Sequence, residues 1–137
     1  MTHLLEQNLT GHIGTQKYLC TINWRNGQMI KDEPESIGGG DLGPDPYSTL
    51  LASLAGCTLS TLRMYIDRKG WNVPELSVSL NMYQETSAEL TTTIERIITF
   101  PEDLDTDIKE RLLVIAGKCP VSKILENKIV IHSKINE

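Results

Sequence analysis

Apolar and polar positions alternate in short runs through the N-terminal third of the chain, a pattern typical of β-strands. We expect strands over residues 4–13, 17–24 and 28–32, with Asn26-Gly27 at the tight turn before the last strand. Residues 33–46 contain several glycines and prolines, which neither a helix nor a paired strand tolerates at this density. The sequence therefore predicts a small meander followed by a loop.

A long helix follows this loop. Asp45 and Pro46 are favourable residues for a helix start, and the segment continues to Lys69 before Gly70. Between residues 50 and 66 the one charged side chain is Arg63, so the helix is apolar on nearly all faces. Since a single chain of this length has little material to surround such a helix, we expect a second copy to cover part of it, in a homodimer.

The second half of the chain combines a hairpin with two helices. Alternating and β-branched residues predict strands over 75–84 and 90–100, paired through a turn at 85–89. Apolar residues then recur at three- and four-residue spacing before Gly117, at Leu104, Ile108, Leu112 and Ile115. Pro120 opens a short helix, and a strand is expected over 128–135. The order βββ-α-ββ-α-α-β predicts one α+β domain over residues 1–137.

Composition narrows the classes of partner. Apolar residues make up 39% of the chain and charged residues 23%, as in ordinary globular proteins. The net charge of −5 and the absence of a basic cluster argue against nucleic-acid binding. No basic start with a long apolar run is present, which predicts a cytoplasmic protein without a membrane partner.

Metal, cofactor and hydrolase chemistry have little support. The three cysteines are an odd number and far apart, and the three histidines are scattered singly, so we expect free thiols and no metal site. The triple glycine at 38–40 lacks the Gly-Lys-Ser/Thr and Gly-x-Gly-x-x-Gly contexts of nucleotide sites. No serine has a nucleophile-elbow setting. We therefore expect no cofactor.

The cysteines differ in local setting. Cys119 lies between Lys118 and Pro120 at the start of a predicted helix, where a thiolate is favoured, although a small packing residue fits equally well. Cys57 is deep inside the long helix without a nearby charge, so its local pattern favours a buried structural thiol. Cys20 alternates with Tyr18 and Ile22 as a core-facing strand residue does, and is assigned no role.

Two motifs resemble the OsmC/Ohr family. They are GPDPYSTLLASLAGCT at residues 43–58 and AGKCPVS at residues 116–122. The intervening stretches LRMY at 62–65 and DRKGW at 67–71 resemble its small OsmC-like branch, and the order of elements agrees over nearly the whole chain. The resemblance implies an OsmC-like fold in which sheets wrap two long central helices of an intertwined homodimer, with the paired cysteines at the subunit interface.

The resemblance also implies a thiol-dependent peroxidase reaction. Cys57 would attack an organic hydroperoxide, release an alcohol and become a sulfenic acid, which Cys119 would convert to a disulfide. A dithiol reductant such as a lipoylated protein would then reduce that disulfide. The expected function is peroxide detoxification in response to oxidative stress.

Two departures from the family pattern affect the reactive thiol. Tyr47 stands where family peroxidases have a Glu, and residues 1–24 contain no Arg to take the family position beside the sulfur. Arg25 and Arg96 are the candidates to replace that cation across the dimer interface, although the sequence favours a solvated surface position for each. Tyr47 is expected to line an apolar pocket or to donate a hydrogen bond to the sulfur. The alternative function is a diverged, non-catalytic protein that binds an apolar or electrophilic small ligand at the dimer interface.

Overall fold

The structure, a computed structural model, describes residues 2–136. It divides into two units, Met1–Leu50 and Leu51–Glu137, and the long helix α1 (Pro46–Lys69) begins in the first and continues in the second. This helix begins and ends where the sequence predicts.

The first unit contains the predicted meander. Strands β1 (Thr10–Ile13), β2 (Cys20–Trp24) and β3 (Gly27–Lys31) form an antiparallel sheet in the order β1-β2-β3. Strands β1 and β2 are shorter than expected. Because Trp24 pairs with Gly27, the tight connection consists of residues 25–26 rather than Asn26-Gly27. A Cβ atom on Gly27 would lie 2.8 Å from the Trp24 ring, so a larger residue here would require that ring to move.

A buried carboxylate organises the loop after β3. The side chain of Asp32 accepts hydrogen bonds from the backbone N–H groups of Tyr18 at 3.0 Å, Glu33 at 2.7 Å and Leu42 at 3.2 Å. A single 3₁₀ turn at Glu35–Ile37 lies within the loop. Charge-assisted hydrogen bonds of this kind stabilise an irregular segment, since they satisfy backbone donors that no strand or helix would pair.

The second unit packs a hairpin, two shorter helices and most of α1 around one core. Strands β4 (Ser77–Thr86) and β5 (Leu90–Thr99) are antiparallel, and α2 (Thr106–Ala116) and α3 (Pro120–Leu125) follow them. The α1 and α2 helices supply most of the buried residues of the core, which are Leu62, Tyr65, Ile66, Val73, Leu112, Ile115 and Ala116. The mixed α+β class predicted from the sequence is confirmed.

Within one chain the buried side chains of α1 form one stripe, Leu54, Thr58, Leu62, Tyr65 and Ile66, and the remaining faces are those that a second copy is expected to cover. The predicted pairing of the last segment is wrong for the single chain. Residues 128–135 form no strand, and Ile131 and Ile135 are each 84% exposed. The apolar alternation there is real, but a strand also needs a neighbouring edge to accept its backbone hydrogen bonds.

By length and apolarity alone, α1 would also qualify as a membrane-spanning helix. This property is shared by core helices of soluble proteins, and the α1 side chains of Leu62 and Ile66 belong to the protein core.

We expect Leu112→Ala to lower the free energy of unfolding by about 2 to 5 kcal/mol, because Leu112 is fully buried and its removal leaves a cavity. The matched control is Leu113→Ala on the next residue of α2, which is 62% exposed and should change stability by less than roughly 0.5 kcal/mol. Urea denaturation of both variants measures the difference. Equal destabilisation by the two substitutions would contradict this core.

Candidate functional site

Cys119 occupies the N-cap position of α3. Its side chain is fully buried, and its Sγ accepts a hydrogen bond from the backbone N–H of Ser122 at 3.3 Å. The Ser122 hydroxyl lies 3.1 Å from the same sulfur. Pro120 at the first helical position has no N–H to satisfy, and the Ser122 N–H of the first turn is capped by this side chain.

Cys57 lies next to this turn. It is a partly exposed residue of α1, and its Sγ accepts a hydrogen bond from the backbone N–H of Val121 at 3.5 Å. Successive backbone N–H groups in the first turn of α3 thus donate to the two sulfurs, Val121 to Cys57 and Ser122 to Cys119. Both cysteines are free thiols. The structure therefore brings together the two cysteines that the sequence motifs single out.

The guanidinium of Arg96 joins this cluster from β5. Its Nη1 donates hydrogen bonds to Thr58 Oγ1 at 2.9 Å and to Ser122 Oγ at 2.8 Å. Within residues 2–136 no carboxylate lies at ion-pair distance from Arg96. The expectation of a solvated surface position was wrong for this arginine, and the contact is made within one chain rather than across a dimer interface.

The number of protons that each group can donate fixes the direction of the hydrogen bonds in this network. A guanidinium only donates, and a hydroxyl has one proton. Thr58 gives its proton to the carbonyl oxygen of Leu54 at 2.7 Å, so it is an acceptor toward Arg96. Ser122 also accepts from Arg96, which leaves its own proton for the Cys119 sulfur at 3.1 Å. The chain of donors from Arg96 through Ser122 thus ends on sulfur, an arrangement that favours a thiolate.

The ionisation of Cys119 follows from these contacts. Burial raises the pKa of its thiol, but hydrogen bonds from the side chain and backbone of Ser122 lower it, as do the neighbouring Cys57 and Thr58 side chains, and together they outweigh burial. Together they lower the pKa from the ordinary 9.0 to about 7. A substantial fraction of Cys119 is therefore thiolate, the reactive form of cysteine, at neutral pH.

A cavity of about 330 Å³ opens beside Arg96 and Ser122. Four apolar side chains also line it, together with Thr92 and Glu126; the apolar ones are Leu54, Ile94, Leu113 and Leu125. A cation and hydroxyl groups beside apolar side chains suit a small organic molecule that has both a polar group and an apolar part.

The remaining candidates from the sequence lie in the first unit. Arg25 is exposed in the connection between β2 and β3, and Tyr47 is 66% exposed in the first turn of α1. Tyr47 is too exposed in this chain to line an enclosed pocket. Cys20 is partly exposed in β2, with its Sγ 3.7 Å from the carbonyl oxygen of Tyr18.

Sequence reasoning missed Thr58 and Ser122 as members of the site. Both stood in the quoted motifs, directly after Cys57 and three residues after Cys119. The spacing of Ser122 was the available signal, because an N-cap side chain commonly contacts the backbone N–H three residues on.

Comparison with known proteins adds the family. The sequence model of the family described as "OsmC-like protein" matches residues 38–134. No curated protein sequence matches the chain.

Solved structures share the fold at low identity. An OsmC-like protein from Mycoplasma pneumoniae is 21% identical, with a TM-score of 0.68 over 90% of this chain and 89% of that one. The organic hydroperoxide resistance protein OsmC from Legionella pneumophila is 17% identical, with a TM-score of 0.67 over 90% and 91%. The organic hydroperoxide resistance protein OhrB of Bacillus subtilis is 19% identical, with a TM-score of 0.63 over 89% and 91%.

We expect the Cys119 thiol to titrate near pH 7 in a Cys20→Ser/Cys57→Ser variant, where it is the remaining cysteine and the hydroxyl introduced in place of the Cys57 thiol would keep a donor beside it. Ultraviolet absorbance of the thiolate as a function of pH measures this pKa. Adding Ser122→Ala should raise the pKa, because it removes the last donor of the Arg96 network.

The matched control for this titration is Ser79→Ala, which removes the hydroxyl of an exposed serine on β4 and should leave the pKa unchanged. A midpoint at the ordinary thiol value of 9.0 in the starting variant would contradict the site as described.

Proposed function

Because the chain belongs to the OsmC-like family, we propose that it reduces organic hydroperoxides through Cys57 and Cys119, in a single domain over residues 1–137. The observation that carries the proposal is the donor network from Arg96 through Ser122 to the Cys119 sulfur, with Cys57 bound to the preceding backbone N–H of the same turn. Two structural neighbours are named organic hydroperoxide resistance proteins, which supports the same chemistry.

Access and ionisation give the two thiols different roles. Cys57 is partly exposed, whereas Cys119 is fully buried, so a hydroperoxide meets Cys57 first. The contact between the two side chains, through which Cys57 lowers the pKa of Cys119, would let the Cys119 thiolate take the Cys57 proton as attack begins. This contact would serve the purpose that an arginine held by a glutamate serves in the family pattern, from which Tyr47 departs.

The reaction then proceeds in two steps. The Cys57 sulfur attacks the terminal oxygen of the hydroperoxide, the O–O bond breaks, and the alkoxide leaves as an alcohol after protonation while Cys57 becomes a sulfenic acid. The Cys119 sulfur, again as thiolate, attacks the Cys57 sulfur and displaces hydroxide, which leaves as water. One hydroperoxide and two thiols thus give one alcohol, one water and one disulfide.

The cavity beside Arg96 suits the organic part of such a substrate. Its apolar walls would hold the alkyl or aryl group, and Arg96 and Ser122 would face the oxygens. A cytoplasmic dithiol, for example on a lipoylated protein, would restore the two thiols by thiol–disulfide exchange.

We propose a homodimer on the basis of uncovered apolar surface. Small residues recur every fourth position on the exposed side of α1, at Ala52, Gly56 and Ser60, and a Cβ on Gly56 would meet nothing within 4 Å. Such a stripe lets a second helix approach closely, and Met64 beyond it is 67% exposed. The exposed apolar residues of 128–135 add a strand-like segment that a second copy could pair.

The reductase proposal predicts consumption of cumene hydroperoxide by wild type with a dithiol reductant. Cys57→Ser should abolish turnover because it removes the attacking sulfur. Cys119→Ser should allow at most one turnover and leave a Cys57 sulfenic acid, detectable by a dimedone adduct in mass spectrometry. Cys20→Ser is the control and should retain wild-type turnover, since Cys20 lies on β2 outside this cluster. If wild type and Cys57→Ser consume hydroperoxide equally, the proposal is wrong.

Arg96→Gln separates the reductase from a passive binder. It removes the cation and should slow turnover at pH 7, and the loss should shrink as pH rises above the ordinary thiol pKa, where Cys119 ionises unaided. If wild type binds cumene alcohol at this cavity but never consumes the hydroperoxide, the alternative of a non-catalytic binding protein holds.

The homodimer proposal predicts that wild type sediments as a dimer. Ser60→Arg, which places a bulky charge on the small-residue stripe of α1, should shift the protein to monomer. Glu110→Arg on the exposed side of α2 is the control and should remain dimeric. A monomeric wild type in sedimentation velocity at micromolar concentration would contradict the proposal.

A further inference from the structure

Three cations surround the ring of Tyr65 in the second unit. The guanidinium carbon of Arg68 lies 5.3 Å from the ring centroid, the Nζ of Lys69 5.6 Å and the guanidinium carbon of Arg111 5.6 Å. Tyr65 is buried, and its hydroxyl oxygen accepts a hydrogen bond from Arg111 Nε at 2.9 Å. The ring therefore positions charges from two helices, since Arg68 and Lys69 end α1 and Arg111 lies in α2.

This positive charge has no carboxylate partner. Within residues 2–136 the ion pairs are Lys31 with Glu33 and Arg63 with Asp67, and neither involves a cation around Tyr65. The chain as a whole carries a net charge of −5, so this cluster of unpaired cations is opposite in sign to the net charge of the protein. Like charges held this close repel one another, and an anion between them removes that cost.

Two of these cations, Arg68 and Arg111, also line a cavity together with Lys118. It has a volume of about 370 Å³ and is bounded by Arg68, Arg111 and Lys118, by the apolar Met64 and Ile115, and by the hydroxyl of Thr61. This volume matches small-molecule sites rather than a macromolecular interface. The Nε–H of Arg111 donates to Tyr65, so the four N–H groups of its two terminal nitrogens remain for a ligand.

We propose that this cavity binds a small organic oxyanion, with a carboxylate or phosphate group on Arg68, Arg111 and Lys118 and an apolar part against Met64 and Ile115. Guanidinium groups suit such anions because their donors match two oxygens at once. The pKa of Tyr65 is lowered, which agrees with a strongly positive environment. The largest cause is its hydrogen bond with Arg111; burial acts in the opposite direction, and the charges of Arg111, Lys69 and Arg68 lower the pKa further.

The cavity lies beside the thiols without using them. Thr61 is one helical turn beyond Cys57 on α1, and Lys118 directly precedes Cys119. Arg96 and Ser122 do not line it. The binding proposal therefore stands whether or not the cysteines reduce hydroperoxides.

Isothermal titration calorimetry on the full chain tests this site with two probes, inorganic phosphate and hexanoate, at constant ionic strength set by chloride. Wild type should bind at least one probe; phosphate alone identifies a phosphate site and hexanoate alone a carboxylate site. Arg111→Gln and Lys118→Gln should each weaken that binding by about tenfold or more, as expected for loss of a charge-assisted contact.

Matched variants separate this site from general surface charge and from the thiol site. Lys123→Gln removes one exposed cation of α3 outside the cavity and should bind as wild type does. Arg96→Gln should also retain binding, which excludes the cavity beside the thiols. Arg68→Gln provides a cavity variant that keeps the Arg111 to Tyr65 hydrogen bond, in case Arg111→Gln lowers the melting temperature. The proposal is overturned if wild type binds neither probe, or if the cavity variants bind as tightly as Lys123→Gln.

Discussion

The hydrogen bonds from Arg96 to Thr58 and Ser122 are the constraint on which the thiol site depends. They connect β5, α1 and α3, three elements that are far apart in sequence. Without them the Ser122 hydroxyl would be free to rotate, whereas Thr58 would still donate to the carbonyl of Leu54. An arginine that only donates forces both hydroxyls to accept, and this directs the Ser122 proton to Cys119.

The same contact explains how a charge is tolerated between helix and sheet. Arg96 is partly buried, and no carboxylate among residues 2–136 pairs with it. A partly buried charge without a counter-ion is costly. A thiolate at Cys119, one hydroxyl away, supplies negative charge to Arg96, and Arg96 in turn makes that thiolate easier to form. The same interaction therefore lowers the pKa of Cys119 and stabilises Arg96 in its partly buried position.

Much of the fold could be predicted because local signals were strong. Asp45 and Pro46 mark the start of α1, and alternation predicts the β4–β5 hairpin. The strand predicted over 128–135 failed because a strand forms only beside a neighbouring edge, a property that alternation cannot report. The orientation of Arg96 was harder to predict. It shares a face of β5 with Ile94 and Ile98, but Ile97 on the opposite face made both sides look apolar. The two-residue period of a strand decides which residues share a face and leaves open which face is covered.

In the proposed reaction, burial and hydrogen bonding give the two sulfurs different roles. The disulfide would join an accessible sulfur, Cys57, to a buried one, Cys119. A reducing thiol attacks where it has access and expels the sulfur that is the more stable thiolate. Access and thiolate stability both favour attack on Cys57 and release of Cys119, because the donors of Ser122 that lower the pKa of Cys119 also stabilise it as the leaving group. The network that prepares Cys119 to take a proton and to form the disulfide would therefore also direct its reduction.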